Sequence, residues 1–231
     1  MKRHLPNLIT CFNLLSGCVG VTFALANRLD LAAYCVILSG IFDFFDGLVA
    51  RALNVRSPIG KELDSLADVV SFGFVPGAIW YVLLTSALPE TPYVAYLGFI
   101  VTIFSALRLA KFNIDDRQTT DFIGLSTPMN AFYVVSIPFV ADSYGGIILH
   151  PLFLLVNIIG TSALLVSNIR LFSLKLQSVS WKENRWKYIF IILSAVWVAL
   201  LKFAAVPGVL VLYFLFSFIH FGERRKAYIK K

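Results

Sequence analysis

Residues 38–68 read LSGIFDFFDGLVARALNVRSPIGKELDSLAD, a stretch in which acidic side chains interrupt apolar runs. Asp43 and Asp46 stand three residues apart, which places them on one face of a helix. Asp64 and Asp68 stand four residues apart and also share a face. Because a carboxylate at the centre of a bilayer costs about 2.5–3.5 kcal/mol, two such pairs require a compensating partner.

Pro58 and Gly60, between the acid pairs, predict a turn across residues 54–62 that joins two antiparallel helices. The two pairs would then face each other, and four carboxylates would form a site for hard cations. Oxygen ligands without Cys or His favour magnesium, manganese or calcium over zinc. Four acids are enough for two ions about 3.5–4 Å apart. The structural alternative is that the acids cap helix ends or pair with Arg51.

The composition around this stretch is that of a membrane protein. Of the 231 residues, 58% are hydrophobic and 14% are charged, and the mean hydropathy is +0.80. A soluble domain carries about a quarter charged residues. The composition therefore excludes a disordered chain, most soluble folds and a basic nucleic-acid-binding domain, and it predicts an all-α integral membrane protein with no nucleic-acid partner.

About eight transmembrane helices are predicted from runs of about 20 apolar residues. They span residues 8–26, 31–53, 66–86, 93–110, 126–141, 147–168, 186–201 and 203–221. If both termini are cytoplasmic, all of the 20 Lys and Arg residues except Arg28 and Lys202 fall on the cytoplasmic side. The positive-inside rule therefore predicts a multi-pass protein of the cell membrane with both termini in the cytoplasm.

The spacing of the acids with four further residues carries a family resemblance. The pattern is Asp43-x2-Asp46-Gly47-x2-Ala50-Arg51-x8-Gly60-x3-Asp64-x3-Asp68. It matches without departure the motif of the CDP-alcohol phosphatidyltransferases, and the chain is identified as resembling that family.

Four further segments resemble the membrane-integral phosphatidylserine synthases within this family. They are LPNLIT at 5–10, ADVVSFGFVP at 67–76, RLAKFN at 108–113 and FIGLSTP at 122–128. Ser126 stands where that branch carries a proline. The resemblance covers residues 5–130, and the remaining residues match only in hydropathy.

The resemblance implies a single transmembrane catalytic domain over residues 1–231. Its six-helix core would cover about residues 5–170, and two further helices would form a hairpin at about 186–221. A basic cytoplasmic tail would follow at 222–231. The resemblance also implies a homodimer in the bilayer, with the active site at the cytoplasmic face.

The implied reaction is transfer of the phosphatidyl group from CDP-diacylglycerol to the hydroxyl of L-serine, with release of CMP. A different acceptor, glycerol 3-phosphate or inositol phosphate, is the first alternative. A divalent-cation transporter and a purely structural membrane scaffold are alternatives from other classes, because intramembrane acids also suit ion transport.

Residue roles follow from the resemblance and from side-chain chemistry. Asp43, Asp46, Asp64 and Asp68 would bind two divalent ions, Mg²⁺ or Mn²⁺, with Ca²⁺ as a further possible occupant, and Asp68 would also be the general base. The predicted contacts with the CDP-lipid are Gly47, Ala50, Arg51, Gly60, Asn7 and Thr10. The predicted contacts with serine are Arg108, Lys111, Asn113, Ser71, Asn130 and Arg117.

Overall fold

Helices account for most of the computed structural model, which describes residues 4–55, 57–115, 121–173 and 181–229. The α-helices are α1 (Leu5–Leu25), α2 (Leu29–Ala52), α3 (Pro58–Asp68), α4 (Val75–Ala87), α5 (Ile100–Ile114), α6 (Thr127–Ile148), α7 (Pro151–Leu165), α8 (Trp181–Leu201) and α9 (Val206–Ile229). A π-helix (Val69–Phe74) joins α3 to α4, and 3₁₀ turns (Pro92–Phe99 and Lys202–Ala205) precede α5 and α9. Two short strands, β1 (Phe122–Ile123) and β2 (Arg170–Leu171), pair antiparallel.

Membrane-spanning length is reached by several of these helices. Among the described residues, five segments are long and apolar enough to cross a bilayer: Leu5–Leu25, Leu29–Ala52, Pro58–Ala87, Pro92–Ile114 and Asn184–Gly222. Thr127–Ala141 and Pro151–Leu165 are shorter apolar helices. The prediction of an all-α, multi-pass membrane protein is confirmed.

The third predicted span begins eight residues too late, and the turn predicted across 54–62 is too long. α3 already begins at Pro58, because Ser57 caps it: the Ser57 hydroxyl accepts a hydrogen bond from the Gly60 N–H at 3.1 Å. Serine before the helix and proline in its first turn are a strong start signal. Gly60 therefore lies in the first turn of α3 and not in a loop.

The boundary between the fifth and sixth predicted spans lies at different residues from those predicted. α6 continues to Ile148, past the predicted end at 141, and α7 begins at Pro151, not at 147. His150 is the reason, since its Nδ1 accepts a hydrogen bond from the Leu152 N–H at 3.3 Å and caps the new helix. Proline in the first turn then sets the start of α7.

Small residues allow the helices of the core to approach closely. A Cβ on Gly17 would collide with Ser71, and a Cβ on Gly73 would lie 3.0 Å from the Cβ of Ser105. These contacts pack the π-helix between α1 and α5, as expected of small residues in membrane helices. The core they surround is apolar and includes fully buried Phe72 and Trp80.

The predicted C-terminal hairpin is present as α8 and α9. Its turn places Lys202 at a φ of 51°, a left-handed conformation that reverses the chain in a short space. The Phe190 ring lies 5.6 Å from the Tyr213 ring and 6.4 Å from the Phe216 ring, so the two helices pack through aromatic side chains.

Candidate active site

Three acids converge between α2 and α3. Asp43, Asp64 and Asp68 each offer a carboxylate oxygen, and these oxygens all lie within 4.8 Å of one another. Spacing of three and four residues on the two helices aims both acid pairs at the same place. The π-helix begins directly after Asp68, and π-helical turns are frequent at functional sites.

The fourth acid lies beside this cluster and is held by α1. Asp46 is buried, and its Oδ2 accepts a hydrogen bond from the Thr10 hydroxyl at 2.7 Å. It interacts electrostatically with Asp43, Asp64 and Asp68. The structure thus brings together all four acids that the sequence predicts as metal ligands.

The donor set of this cluster fits a divalent cation. In the part of the chain that the structure describes, none of the four carboxylates forms an ion pair with Lys or Arg. The Oδ1 atom of Asp64 is buried and has no hydrogen-bond partner among the described residues. Several negative groups at such short separations repel one another, and a hard cation bound by oxygen ligands compensates them.

Asn13 is a site residue that the sequence analysis missed. It is fully buried on α1, and its side-chain N–H donates to Asp68 Oδ1 at 3.2 Å. Its backbone carbonyl accepts hydrogen bonds from the hydroxyls of Ser39 at 3.2 Å and Ser71 at 3.0 Å. Asn13 follows Asn7 and Thr10 at intervals of three residues, a polar stripe on an apolar helix that could have indicated it.

A cavity of about 540 Å³ opens beside the acids, between α1, α2 and α3. Its walls include five of the residues predicted to contact the CDP-lipid, Asn7, Thr10, Gly47, Ala50 and Gly60. Pro6, Val55, Ser57, Pro58 and Lys61 also line it, and the sequence analysis did not assign them. The cavity is called the donor cavity below.

The glycines of the donor cavity keep its walls close together. A Cβ on Gly60 would lie 3.0 Å from both Asn7 Oδ1 and Ser57 Oγ, so a side chain there would press on two polar wall groups. A Cβ on Gly47 would lie 3.5 Å from a guanidinium nitrogen of Arg51. Arg51 itself is exposed and reaches across Gly47 at the edge of the cavity.

Arg108 is a buried cation that interacts with the acid cluster. It interacts electrostatically with Asp68, and its guanidinium lies over the Phe112 ring, 5.0 Å from the ring centroid. The Thr127 hydroxyl, which the sequence analysis did not single out, lies 3.5 Å from Arg108 Nη1. A buried guanidinium with so few strong partners retains capacity for an anionic ligand.

A second cavity, of about 340 Å³, opens at Arg108 and is called the acceptor cavity below. Lys111 also lines this cavity, so two of the predicted serine contacts lie in one place. The other wall residues are Ile114, Asp115, Ile123, Leu165, Val166, Ser167 and Asn168. The cavity therefore lies between the end of α5, β1 and the end of α7.

Among the described residues, three other predicted serine contacts, Ser71, Asn113 and Asn130, line neither cavity. The Ser71 hydroxyl donates to the backbone carbonyl of Asn13. The side-chain N–H of Asn113 donates to the Ser65 hydroxyl at 2.8 Å, and the backbone carbonyl of Asn113 accepts a hydrogen bond from Lys61 Nζ at 2.8 Å. The side-chain amide of Asn130 is fully buried without a hydrogen-bond partner among the described residues. Arg117 lies outside the described residues.

Comparison with known proteins finds a matching family and several similar proteins. The family described as CDP-alcohol phosphatidyltransferase matches residues 3–161. A CDP-diacylglycerol–serine O-phosphatidyltransferase of Bacillus subtilis (strain 168) is 32% identical over 186 residues, which cover 80% of this chain and 99% of that protein. The enzyme of the same name from Helicobacter pylori (strain J99) is 35% identical over 84% of this chain and 81% of its own length. An archaetidylserine synthase of Methanothermobacter thermautotrophicus is 32% identical over 57% of this chain and 56% of its own length.

Proposed function

Because this chain belongs to the CDP-alcohol phosphatidyltransferase family, we propose that it transfers the phosphatidyl group from CDP-diacylglycerol to the hydroxyl of L-serine and releases CMP. The observation that carries the proposal is the acid cluster, which adjoins the donor cavity through Asp46 and Asp64 and interacts with buried Arg108 through Asp68. Phosphoryl transfer requires this arrangement, since donor and acceptor must meet at one phosphorus atom.

The proposed reaction is a nucleophilic substitution at phosphorus with Asp68 as the base. The serine hydroxyl oxygen attacks the β-phosphorus of CDP-diacylglycerol, the bond from that phosphorus to the oxygen of CMP breaks, and CMP leaves with the electron pair. Asp68 accepts the proton of the hydroxyl as general base. Asn13 holds one oxygen of Asp68, which restricts the rotation of the carboxylate that receives the proton.

The donor cavity binds the nucleotide end of the CDP-lipid. Gly47, Ala50 and Gly60 leave room for a ligand beside the helix backbones. A volume of about 540 Å³ is within the usual range of about 300–1,000 Å³ for ligand pockets. Arg51 at the edge of the cavity can bind two phosphate oxygens at once, because its planar fork matches their geometry.

Asp43, Asp46, Asp64 and Asp68 would hold two divalent ions, Mg²⁺ or Mn²⁺, and Ca²⁺ can occupy the same oxygen ligands. When bound, such ions neutralise the charge that develops on the phosphoryl oxygens. Thr10 contributes by binding Asp46, which leaves the other oxygen of that carboxylate available.

Serine binds through its carboxylate to Arg108, with Lys111 as a second cation on the same wall. The burial of Arg108 near Asp68 supports this assignment, because a carboxylate is bound more strongly by a partly desolvated guanidinium. Serine contacts at Ser71, Asn113, Asn130 and Arg117 stay predictions from sequence.

The protein works as a single transmembrane domain over residues 1–231, with the site at the cytoplasmic face and a homodimer as the assembly. Arg51, Lys61 and Lys111 support this orientation, since they lie at the same helix ends as the acids. At that face the lipid tails of the donor stay in the bilayer while its headgroup reacts at the edge.

The acceptor is tested with purified protein, CDP-diacylglycerol, Mn²⁺ or Mg²⁺ and a panel of serine, glycerol 3-phosphate and inositol phosphate. We expect serine-dependent release of CMP and formation of phosphatidylserine. Turnover with another member of the panel would replace serine as the acceptor. Absence of CMP release with all of them, together with Mn²⁺ flux into sealed vesicles, would support a transporter instead.

A further inference from the structure

Among the described residues, the C-terminal hairpin lines neither cavity, yet α9 binds Phe172, the residue that follows β2. The Tyr213 hydroxyl donates to the Phe172 carbonyl at 2.8 Å, and the Phe172 N–H donates to the Ser217 hydroxyl at 3.3 Å. Tyr213 and Ser217 are four residues apart and share one face of α9. Both backbone polar groups of Phe172 are therefore bound by one helix.

The side chain of Phe172 strengthens this attachment. It is fully buried, and its ring lies edge-on to the rings of Tyr213 at 5.2 Å and Phe190 at 5.6 Å. Edge-to-face aromatic pairs at these separations are favourable beyond the area they bury. The segment that follows β2 is thus held between α8 and α9.

The strand pair connects the Phe172 segment to the acceptor cavity. Arg170 of β2 pairs with Ile123 of β1, and Ile123 lines the cavity. The Gly124 N–H donates to the Ile169 carbonyl at 2.8 Å. Gly124 has a φ of 76°, and a Cβ there would lie 2.7 Å from the Leu165 carbonyl oxygen, so only glycine fits this connection.

A second contact of α9 supports the same wall. Leu210, on the same face as Tyr213, packs with Leu125 and Leu165, and Leu165 lines the acceptor cavity. α9 therefore contacts the wall of the acceptor cavity in two ways, through the strand pair and through the apolar contact of Leu210.

We propose that α9 sets the geometry of the acceptor cavity, with Tyr213 as the positioning residue that fixes the Phe172 backbone and, through the strand pair, the wall opposite Arg108. The proposal rests on the proposed function for the identity of the acceptor. It assigns a role in acceptor selection to a hairpin that lies outside the helices bearing the acids.

The test is Tyr213→Phe, which keeps the ring and removes only the hydroxyl. We expect KM for serine to rise about fivefold, the size of effect that loss of one net hydrogen bond produces. KM for CDP-diacylglycerol and kcat should change by less than about twofold, because the donor cavity lies on α1, α2 and α3. Ser217→Ala removes the other bond to Phe172 and should raise KM for serine in the same direction.

The matched control is Tyr133→Phe, which removes a hydroxyl that donates to Asn157 between α6 and α7 and makes no bond to β2. An unchanged KM for serine in both α9 variants would overturn the proposal, as would equal changes in both KM values or an equal effect of Tyr133→Phe. KM for the acceptor and KM for CDP-diacylglycerol are both measured with whichever acceptor the wild-type protein turns over. A different preferred acceptor would therefore overturn the assignment of serine while still deciding the role of Tyr213.

Discussion

The donor and acceptor sides of the site differ in how far apart in the chain their parts lie. The donor cavity and the acids come from three successive helices within residues 6–68. The acceptor cavity combines α5, β1 and the end of α7, with α9 behind them. The donor side thus depends on helical spacing within a short segment, whereas the acceptor side depends on contacts between distant segments.

The two sides also carry opposite electrostatics. Four acids with no Lys or Arg within ion-pair distance among the described residues define the donor side, and a buried guanidinium defines the acceptor side. Charge on the donor side is suited to bind cations, and charge on the acceptor side is suited to bind a carboxylate. Substitutions on the two sides should therefore separate in their effects on KM and kcat.

The largest expected loss of turnover comes from substituting one of the four acids. Asp68→Asn removes the proposed base and one negative charge, and turnover should fall by at least about 10³-fold, within the range for general base catalysis. Mn²⁺ binding, followed by electron paramagnetic resonance, should weaken as well. The protein should still fold, because the amide is nearly isosteric and relieves repulsion among the acids.

Asp30→Asn is the matched control for this change. Asp30 lies on α2 with Asp43 and Asp46, but it is exposed and paired with Arg28 at 3.2 Å. We expect turnover and Mn²⁺ binding to stay at wild-type levels in this variant. Undiminished turnover of Asp68→Asn would remove the proposed base.

Arg108→Ala should affect the acceptor side alone. We expect KM for serine to rise about 10²-fold, the scale of a lost charge-assisted hydrogen bond, with KM for CDP-diacylglycerol changed by less than about threefold. Arg108→Lys should recover only part of the loss, because an ammonium cannot copy the planar fork. Arg28→Ala, at an exposed arginine, is the control, and equal changes in both KM values would show that Arg108 only anchors α5.

Asn13→Ala should give a smaller effect on the donor side. Loss of the bond to Asp68 Oδ1 frees that carboxylate to rotate, so kcat should fall about tenfold and Mn²⁺ affinity should weaken, as for other partners of metal ligands. Ser39→Ala is the control, since it removes a bond to the Asn13 carbonyl and leaves the Asp68 bond in place. Equal losses in the two variants would indicate a packing role for Asn13.

The smallest effect is expected from Gly60→Ala. The new methyl group would press on Asn7 Oδ1 and Ser57 Oγ, so KM for CDP-diacylglycerol should rise about three- to tenfold while KM for serine stays constant. A methyl group on Gly160 would meet no atom within 4 Å, so Gly160→Ala should leave both values unchanged. A rise in KM for serine in Gly60→Ala would show that the two cavities are not independent.

The family, the all-α membrane fold and the acid cluster could all be predicted from sequence, whereas several helix boundaries were wrong and Asn13 was missed. α3 begins at Pro58 because Ser57 caps it, and α7 begins at Pro151 because His150 caps it. Hydropathy averages over about 20 residues, so it locates a span but not the polar side chain that starts the helix.

Amino-acid order alone determined which residues share a helix face, because positions three or four apart meet on a helix whatever surrounds it. That is why their spacing predicts that Asp43 and Asp46 share one helix face and that Asp64 and Asp68 share another. Only the tertiary structure decided that Asn13 binds Asp68, that Arg108 is buried at a second cavity and that Tyr213 binds Phe172. These contacts join residues far apart in the chain, and their distances depend on how whole helices pack, which no local pattern encodes.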